Sequence, residues 1–360
     1  MEVDVLIVGA GPAGSTTARY CADKDLDVLI IDRRKEIGYP VQCGEFLPDT
    51  REMYTMFPKT IDLEELFAFD ESLKMRDIEH IDMISPKGKA YRCDFKGMTL
   101  DRRSFDKYLV KLAEESGARV EKKTSLLSIR DGVALTSLGE VKARVIVGAD
   151  GPNSRTAVEA QLRRPRDRYP AITCQAAGSF DPVIKMYFGA LAPGGYAWII
   201  PKRNGANIGV GYKPSKARQK PSEMFHRFVS SLGVSYREVS MGFVPESGQV
   251  DQLVRGNILL VGDAAGHVMA SNGGGIPTAM IAGRIAGLTV KSHLRDHTPL
   301  EAYEKSCEKI LGGPLSTSFW TKRVADVFIG RNWGAELAMR ISGRRGLARA
   351  IRCKRVFYVF

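Results

Sequence analysis

The segment VDVLIVGAGPAG, residues 3–14, gives the strongest indication of the fold. Its first half is an apolar run rich in β-branched residues, interrupted only by Asp4, and it predicts a buried parallel strand. Three glycines follow at the spacing G-x-G-x-x-G. Gly9 permits a tight turn, Gly11 lets the backbone approach a pyrophosphate, and Gly14 allows a helix to pack closely on the strand.

The next two elements complete a βαβ unit. A helix is expected from Ser15 to Cys21, with its N-terminal N–H groups aimed at a bound anion. A second apolar strand, Val28 to Ile31, ends in Asp32, whose carboxylate can accept hydrogen bonds from the hydroxyls of an adenosine ribose. This succession within the first 32 residues predicts a nucleotide site. A packing turn without a ligand is the alternative.

Two later strands end in similar turns. The strand from Ala143 to Gly148 is closed by Asp150-Gly151, and the strand from Ile258 to Val261 is closed by Gly262-Asp263. An Asp-Gly pair is also a common structural turn, and this is the alternative for Asp150. Between the first unit and these strands, the residues around Arg102 predict a helix start.

These dispersed motifs, in this order, resemble the FAD-dependent superfamily of para-hydroxybenzoate hydroxylase. The resemblance implies that FAD is the cofactor. It also implies that Gly262 and Asp263 contact the ribityl and pyrophosphate groups, and that Asp150 serves both FAD and a nicotinamide cofactor. The other residues expected to contact the cofactor are Ala13, Arg33, Cys43, Gly44, Arg102 and Leu126.

A glycine-rich loop precedes the next predicted helix. Gly273, Gly274 and Gly275 leave backbone N–H groups open to a ligand, and a helical run is expected from Thr278. A helix N-terminus aimed at the pyrimidine edge of the flavin would stabilise the negative charge of the reduced cofactor. We therefore expect Gly274, Gly275 and Ile276 to contact the flavin. A plain helix-entry loop is the alternative.

Two further stretches resemble the geranylgeranyl reductase family. The first contains Cys43 in the setting VQCGE, and the second, residues 193–202, matches most of a PxxYxWxFPK signature. Ile200 stands where the family usually has Phe, and this leaves the preferred substrate open. The resemblance implies an isoprenoid lipid substrate, which binds in a cavity lined by Tyr196 and Trp198. We expect Tyr196, Trp198 and Cys43 to act in catalysis. Tyr196 and Trp198 are two residues apart, so on a strand their rings lie on the same face. The alternative is that both rings fill the protein core.

The resemblance implies a reductase that transfers a hydride from reduced FAD to an isolated C=C bond. Cys43, Tyr196 or a bound water could supply the proton, while Cys43 could instead be a redox thiol, a steric gate or a small buried apolar residue. NADPH or reduced ferredoxin could donate the electrons. The alternatives are an aromatic hydroxylase that uses O₂, a halogenase, which residues 196–201 partly resemble, and a flavin-binding module without enzymatic activity.

The composition limits the partners. With 53 basic and 41 acidic residues the chain has a net charge of +12, which favours anionic partners. No nucleic-acid motif appears. The six cysteines form no CxxC pair, so we expect no metal site and a reducing, cytoplasmic setting. We expect no signal peptide, and no apolar run reaches the roughly 20 residues that span a bilayer.

The end of the chain is strongly basic. Eight Lys or Arg side chains lie between Arg331 and Arg355, and Leu347, Ala350, Ile351, Val356 and Phe357 are interleaved with them. This segment could lie on an anionic membrane, which predicts a peripheral location at the inner membrane face. A solvated helix that packs on the body of the protein is the alternative. A monomer is favoured.

We expect an α/β fold with three parts: a discontinuous Rossmann-like FAD-binding domain, a substrate domain built on an antiparallel sheet, and C-terminal helices. The expected segments are 1–75, 101–160 and 251–300 for the first part, 76–100 and 161–250 for the second, and 301–360 for the third. Arg203-Asn204-Gly205-Ala206 predicts a hairpin turn in the sheet. Glu301 to Ile310 predicts a helix that stops at Gly312-Gly313-Pro314.

Overall fold

The computed structural model describes residues 1–356, whose strands form two eight-stranded sheets. The strands are β1 (Glu2–Val8), β2 (Val28–Asp32), β3 (Phe46–Pro48), β4 (Lys74–Ile84), β5 (Ala90–Leu100), β6 (Arg119–Lys122), β7 (Leu126–Arg130), β8 (Val133–Thr136), β9 (Gly139–Gly148), β10 (Arg168–Ala177), β11 (Val183–Tyr187), β12 (Tyr196–Lys202), β13 (Gly205–Gly211), β14 (Tyr236–Pro245), β15 (Val254–Arg255) and β16 (Ile258–Leu260). The α-helices are α1 (Pro12–Cys21), α2 (Thr50–Met56), α3 (Leu63–Leu66), α4 (Arg102–Glu115), α5 (Arg155–Glu159), α6 (Pro221–Ser231), α7 (Ile276–Asp296), α8 (Ala302–Cys307), α9 (Gly313–Phe328) and α10 (Asn332–Ile351).

The first sheet has the strand order β15-β16-β9-β1-β2-β6, with the β7–β8 hairpin joined to β9. Its central strands are parallel and largely buried, as their mainly apolar runs predict. Helix α7 crosses α1 at very close range: a Cβ on Gly283 would lie 2.7 Å from the carbonyl oxygen of Ala13. The predicted Rossmann-like α/β architecture is confirmed.

The second sheet has the order β14-β10-β13-β12-β11-β4-β5-β3. It is antiparallel except that β4 and β11 run parallel, so it is mixed where a purely antiparallel sheet was predicted. The β12–β13 hairpin turns through Arg203 and Asn204, as predicted, because Lys202 pairs with Gly205. Trp198 packs in the main core, whereas Ile199, on the opposite face of β12, packs in a second core with α6.

The two sheets follow the predicted segments with one exception. β3 lies inside segment 1–75 but pairs with β5 in the second sheet. It brings the chain that follows Cys43 onto the sheet. The division into domains itself stays a prediction.

The predicted helix stop at Gly312-Gly313-Pro314 is wrong. The chain passes from α8 through a π-helical turn, Glu308–Gly312, directly into α9. Both glycines adopt ordinary helical dihedral angles, and Pro314 occupies the first turn of α9. Proline is tolerated there because the N–H that it lacks would have no partner in the first turn of a helix.

The last part of the basic tail, from Leu347 to Cys353, folds against the body of the protein. Ile351 and Cys353 are buried, and Leu347 packs against the main core. The Arg352 guanidinium forms a two-point ion pair with Glu52. These contacts favour the interpretation in which the tail packs on the body of the protein. Phe357 lies outside the described residues. Within residues 1–356, no helix has the length and apolarity needed to cross a membrane.

Candidate functional site

The glycine loop between β1 and α1 has the geometry that its sequence predicts. Gly9 has a φ of +107°, and a Cβ there would lie 2.3 Å from the carbonyl oxygen of Ala149. A Cβ on Gly14 would collide with Gly9, whereas one on Gly11 would meet no atom within 4 Å. The backbone is therefore open at Gly11, as an approaching pyrophosphate requires. α1 begins at Pro12, three residues before the predicted start.

Asp32 holds this loop in place. Its buried carboxylate accepts hydrogen bonds from the N–H of Ala10 at 2.9 Å and from the N–H of Arg34 at 2.7 Å. Each carboxylate oxygen has a second lone pair, so a ribose hydroxyl can still bind. The Arg33 side chain is exposed at the surface. Contacts of Asp32 and Arg33 with a cofactor stay predictions.

Asp263 lies at the tip of β16 and has no hydrogen-bond donor among the described residues. Burial raises the pKa of this carboxyl group to about 6, and the positive charge of Arg102 partly opposes the shift. The side chain is half-buried, and a carboxylate that is withdrawn from water without a protein donor carries a desolvation cost. The hydroxyl groups of a bound dinucleotide would supply the missing donors, so this residue fits the predicted role.

His267 supports the same turn and was not predicted. Its ring is fully buried, and Nδ1 accepts the N–H of Gly262 at 3.2 Å. Burial lowers the pKa of His267 to about 3, so the ring is neutral at physiological pH. The signal in the sequence was a histidine four residues after Asp263, and only the fold shows that its ring points inward.

The N-terminus of α7 meets the Asp263 turn. The helix begins at Ile276, with Gly275 at the N-cap and no side chain capping the first N–H groups. A Cβ on Gly275 would lie 3.2 Å from Oδ1 of Asp263. Gly274 donates its N–H to Oδ1 of Asn272 at 2.8 Å. The uncapped N–H groups, the open Gly11 and the unpaired carboxylate together suit a phosphate-bearing, hydroxyl-rich cofactor.

Asp150 is engaged within its own turn, and its predicted contacts with FAD and a nicotinamide cofactor stay predictions. Its carboxylate accepts hydrogen bonds from the Ser154 hydroxyl at 2.5 Å, the Arg155 N–H at 2.7 Å and the Thr156 N–H at 2.9 Å. These bonds hold the first turn of α5 and favour the structural-turn alternative. Leu126, at the start of β7, is buried in the main core.

Arg102 connects the Asp263 turn to the Cys43 segment. Its guanidinium forms a two-point ion pair with Asp106, both bonds at 2.9 Å, and its charge acts on Asp263 and Cys43. Burial alone would lower the pKa of Arg102, but Asp106 and Cys43 raise it above its ordinary value. The side chain is thus a permanent cation between two predicted site residues.

A buried polar cluster lies behind Cys43, and the sequence did not reveal it. Glu45 is fully buried, and its Oε2 lies 2.7 Å from Nζ of Lys202, 2.7 Å from Nε2 of Gln175 and 2.9 Å from Nδ2 of Asn207. Its Oε1 accepts the N–H of Arg102 at 3.1 Å. The acidic residue of the VQCGE stretch therefore ties this loop to the sheet and to α4.

The aromatic pair on β12 points toward this cluster. The Tyr196 and Trp198 rings lie 5.8 Å apart in a T-shaped contact. The Tyr196 hydroxyl donates to the carbonyl oxygen of Asn272 at 2.5 Å, which links the sheet to the loop before α7. Trp198 is 7% exposed and lies over Gly209, where a Cβ would come within 2.2 Å of the indole. The shared face is as predicted, and much of the Trp198 ring also serves the core.

The fold thus brings Cys43, Gly44, Trp198 and Tyr196 next to the segment that carries Asp263 and the α7 N-terminus. A Cβ on Gly44 would lie 2.8 Å from Cδ1 of Ile200 and 4.0 Å from Nε1 of Trp198. The first sheet and α7 supply the cofactor side of this region. The second sheet supplies an apolar and aromatic wall.

Comparison with known proteins gives matches along the whole chain. Residues 171–243 match the geranylgeranyl reductase catalytic domain, and residues 7–56 match an NAD(P)-binding Rossmann-like domain. Digeranylgeranylglycerophospholipid reductase 1 of Methanopyrus kandleri is 37% identical over 310 residues, which cover 80% of each chain. A geranylgeranyl bacteriochlorophyll reductase-like protein of Thermoplasma acidophilum superposes with a TM-score of 0.81 and 25% identity, covering 94% of this chain and 91% of that chain. A halogenase solved with FAD gives a TM-score of 0.74 at 16% identity over 94% of this chain and 79% of its own, which shows a shared fold alone.

Proposed function

This chain belongs to the geranylgeranyl reductase family, and on that premise we propose that it is an FAD-dependent reductase that saturates isolated C=C bonds in the geranylgeranyl chains of a membrane lipid. The observation that carries the proposal is the arrangement of Cys43, Asn207 and Trp198. Asn207 binds both the Cys43 carbonyl and the Trp198 indole, and so it joins the segment next to the cofactor region to the aromatic wall.

The residues on the cofactor side would bind and orient FAD. The open backbone at Gly11 and the N-terminus of α7 are suited to the pyrophosphate and to the flavin, respectively. Asp263 is suited to a ribityl or ribose hydroxyl. When bound and reduced, FAD supplies the hydride. Electrons would come from NADPH or from reduced ferredoxin.

The wall on the second sheet suits an isoprenoid chain. Such a chain can be recognised only by apolar contact and by shape. One side of β12 provides an apolar surface made of Tyr196, Trp198 and Ile200. Gly209 lets the indole pack directly on β13, because a Cβ there would lie 2.2 Å from the ring. The cluster around Glu45 and Lys202 would fix the wall relative to the cofactor, because it holds β12, β13 and the Cys43 segment together.

Saturation of a C=C bond adds one hydride to one carbon and one proton to the other. The chain must therefore hold a proton donor close to the alkene. Burial raises the pKa of the Tyr196 phenol, so this group keeps its proton at neutral pH and is a weak acid. The Cys43 thiol is partly exposed, lies beside the Arg102 guanidinium and accepts the N–H of Glu45 at 3.2 Å. We therefore rank Cys43 above Tyr196 as the donor.

The decisive experiment separates reduction from oxygenation. Dithionite-reduced holoprotein is incubated without oxygen with a geranylgeranylglycerophospholipid, while flavin absorbance and lipid mass are followed. Reoxidation of the flavin with a mass gain of two hydrogens for each saturated bond supports the reductase. Reoxidation that waits for O₂ and yields an oxygenated product would overturn it.

The donor is tested by conservative substitution. Cys43→Ala is expected to lower turnover roughly 10²- to 10⁴-fold with FAD still bound, as loss of a general acid does. Cys43→Ser keeps a proton at the same position and is expected to restore part of the rate. Equal rates in both variants and the unaltered protein would exclude Cys43 as the donor.

A further inference from the structure

Helices α9 and α10 leave an apolar surface uncovered. On α9, Trp320 and Val327 are 62% and 76% exposed; on α10, Trp333 and Ile341 are 65% and 64% exposed. We define the α9–α10 face by its exposed apolar residues, which are Trp320, Val324, Val327, Phe328, Trp333, Leu337 and Ile341. Two of the three tryptophans of the chain lie on this face.

The spacing shows that the face is organised. Trp320 and Val324 are four residues apart on α9, and Trp333, Leu337 and Ile341 continue the same interval on α10, so each set forms one stripe along its helix. The two stripes meet where the helices meet, because a Cβ on Gly334 would lie 2.4 Å from the carbonyl oxygen of Phe328. The opposite sides are already used for packing, and their buried residues include Leu315, Ser318, Lys322, Asp326, Ala335 and Met339.

The charges around the face are of one sign. Arg331, Arg340 and Arg345 are exposed and pair with no acidic side chain among residues 1–356. The two acidic residues of these helices are engaged: Asp326 lies between Lys213 and Lys322, and Glu336 accepts the N–H of Lys87 at 3.1 Å. The net charge of +12 also attracts the whole protein toward anionic surfaces at long range.

We propose that the α9–α10 face docks on the surface of an anionic lipid bilayer. Trp320 and Trp333 would sit at the boundary between headgroups and acyl chains, where an amphipathic ring is most stable, while the aliphatic residues enter the acyl layer. The unpaired arginines would contact anionic headgroups. The apolar stripes match the acyl layer of the membrane, and the three unpaired arginines match its anionic headgroups.

The inner side of these helices reaches the proposed cofactor site. The Ser318 hydroxyl accepts the N–H of Ser271 at 2.9 Å, and the Asn272 amide donates to the carbonyl oxygen of Ile351 at 2.8 Å. Ser271 and Asn272 lead into the N-terminus of α7. A single layer of helix therefore separates the docked bilayer from the loop that precedes this helix.

The test uses the full chain with bound FAD and two kinds of vesicle, phosphatidylcholine alone and phosphatidylcholine mixed equally with phosphatidylglycerol. Cosedimentation is expected with the mixed vesicles, and the affinity is expected to fall at least tenfold on pure phosphatidylcholine or at about 0.5 M salt. Brominated lipid is expected to quench the emission of Trp320 and Trp333, but not that of the buried Trp198.

Substitution locates the surface. The double variant Trp320→Glu/Trp333→Glu is expected to lose at least tenfold in vesicle affinity. Leu138→Glu is the matched control, because Leu138 is 67% exposed in the turn between β8 and β9 and lies outside the face. Turnover of detergent-dispersed lipid does not require vesicle binding and is expected to be unchanged in both variants. If the unaltered protein showed no turnover in this assay, the reductase assignment would fail independently of the docking proposal.

Three outcomes would overturn the proposal. The first is no binding of the unaltered protein to the mixed vesicles. The second is equal binding of the double variant and the unaltered protein. The third is that the unaltered protein forms a dimer and does not bind vesicles, whereas the double variant is a monomer. That result would identify the face as a subunit interface.

Discussion

The Trp198 indole donates its Nε1–H to Oδ1 of Asn207 at 2.8 Å, inside the core between the two sheets. The Asn207 amide nitrogen donates in turn to the carbonyl oxygen of Cys43 at 2.9 Å. One amide side chain on β13 therefore sets the position of the aromatic wall relative to the Cys43 segment. This relationship makes Asn207 a positioning residue for the proposed reaction.

Replacing Asn207 is expected to loosen the Trp198 indole and the Cys43 segment, and it also removes one donor to Glu45. Asn207→Ala leaves the Trp198 N–H and the Cys43 carbonyl unpaired, and we expect the free energy of unfolding to fall by roughly 2–4 kcal/mol. Urea denaturation measures the change. Asn204→Ala is the control, since Asn204 is exposed in the adjoining hairpin and its loss should cost less than about 0.5 kcal/mol. Equal losses in the two variants would contradict a role for the buried amide.

Trp198 serves the core and the proposed substrate wall, and two substitutions separate these roles. Trp198→Ala removes a ring that is 7% exposed, and we expect it to lower the free energy of unfolding by about 3–5 kcal/mol. Trp198→Phe keeps an apolar ring but loses the N–H, and we expect a milder loss of stability with FAD retained. Lipid turnover should fall in both. A Trp198→Ala variant that turns over lipid at the original rate would exclude the wall.

The buried ion pair of Glu45 and Lys202 makes a double-mutant cycle informative. Lys202→Met leaves the fully buried Glu45 carboxylate without its cation, and we expect it to destabilise the protein by about 3–5 kcal/mol. Glu45→Gln is expected to cost less, because Lys202 is partly exposed and keeps the Gln175 side chain as an acceptor at 3.1 Å. The double variant should lose much less than the sum of the single losses. Additive losses in urea denaturation would show that the 2.7 Å contact contributes little.

Asp263 is the residue on which FAD retention should depend most. Asp263→Ala is expected to yield a folded protein that lacks the yellow flavin absorbance, because the carboxylate at the strand tip would no longer bind the cofactor hydroxyls. Visible absorbance and far-UV circular dichroism together distinguish loss of FAD from loss of fold. Asp251→Ala, at an exposed position before β15, is the control. Stoichiometric FAD in the Asp263→Ala variant would refute the assignment.

His267 should make the protein sensitive to acid. Burial lowers its pKa from 6.5 to about 3, so between these values the unfolded chain binds a proton that the folded chain does not. The free energy of unfolding should therefore fall as the pH falls, by up to about 1.4 kcal/mol per pH unit below 6.5. His267→Asn keeps an acceptor for the Gly262 N–H but does not titrate. The difference between the two proteins should shrink on acidification, whereas the exposed His226→Asn control should show no such trend.

The parts of the fold that the sequence predicted correctly are local. The strand, the glycine turn and the helix at residues 3–21 follow from side-chain period and backbone freedom within one short stretch. The same holds for the β12–β13 hairpin. The helix stop at Gly312-Gly313-Pro314 failed because glycine and proline signals do not exclude a π-helical turn that leads into a new helix.

The site divides in a similar way. The turn at Asp263 and the glycines before α7 were predicted, since each ends or begins a periodic element. The burial of His267 was not predicted, because it depends on where a side chain points after the fold closes. The three hydrogen bonds within the Asp150 turn match the structural-turn alternative.

The glycine turns, the acidic strand tips and the strands and helices beside them followed from local sequence, because these features depend on neighbours a few residues away. Which distant polar groups meet depends on how the whole chain folds. Glu45, Lys202 and Asn207 lie on separate elements, and their hydrogen bonds exist only once the two sheets pack and exclude water. The α9–α10 face has the same origin, because a helix pattern shows where apolar residues repeat but not whether the core or the solvent will contact them.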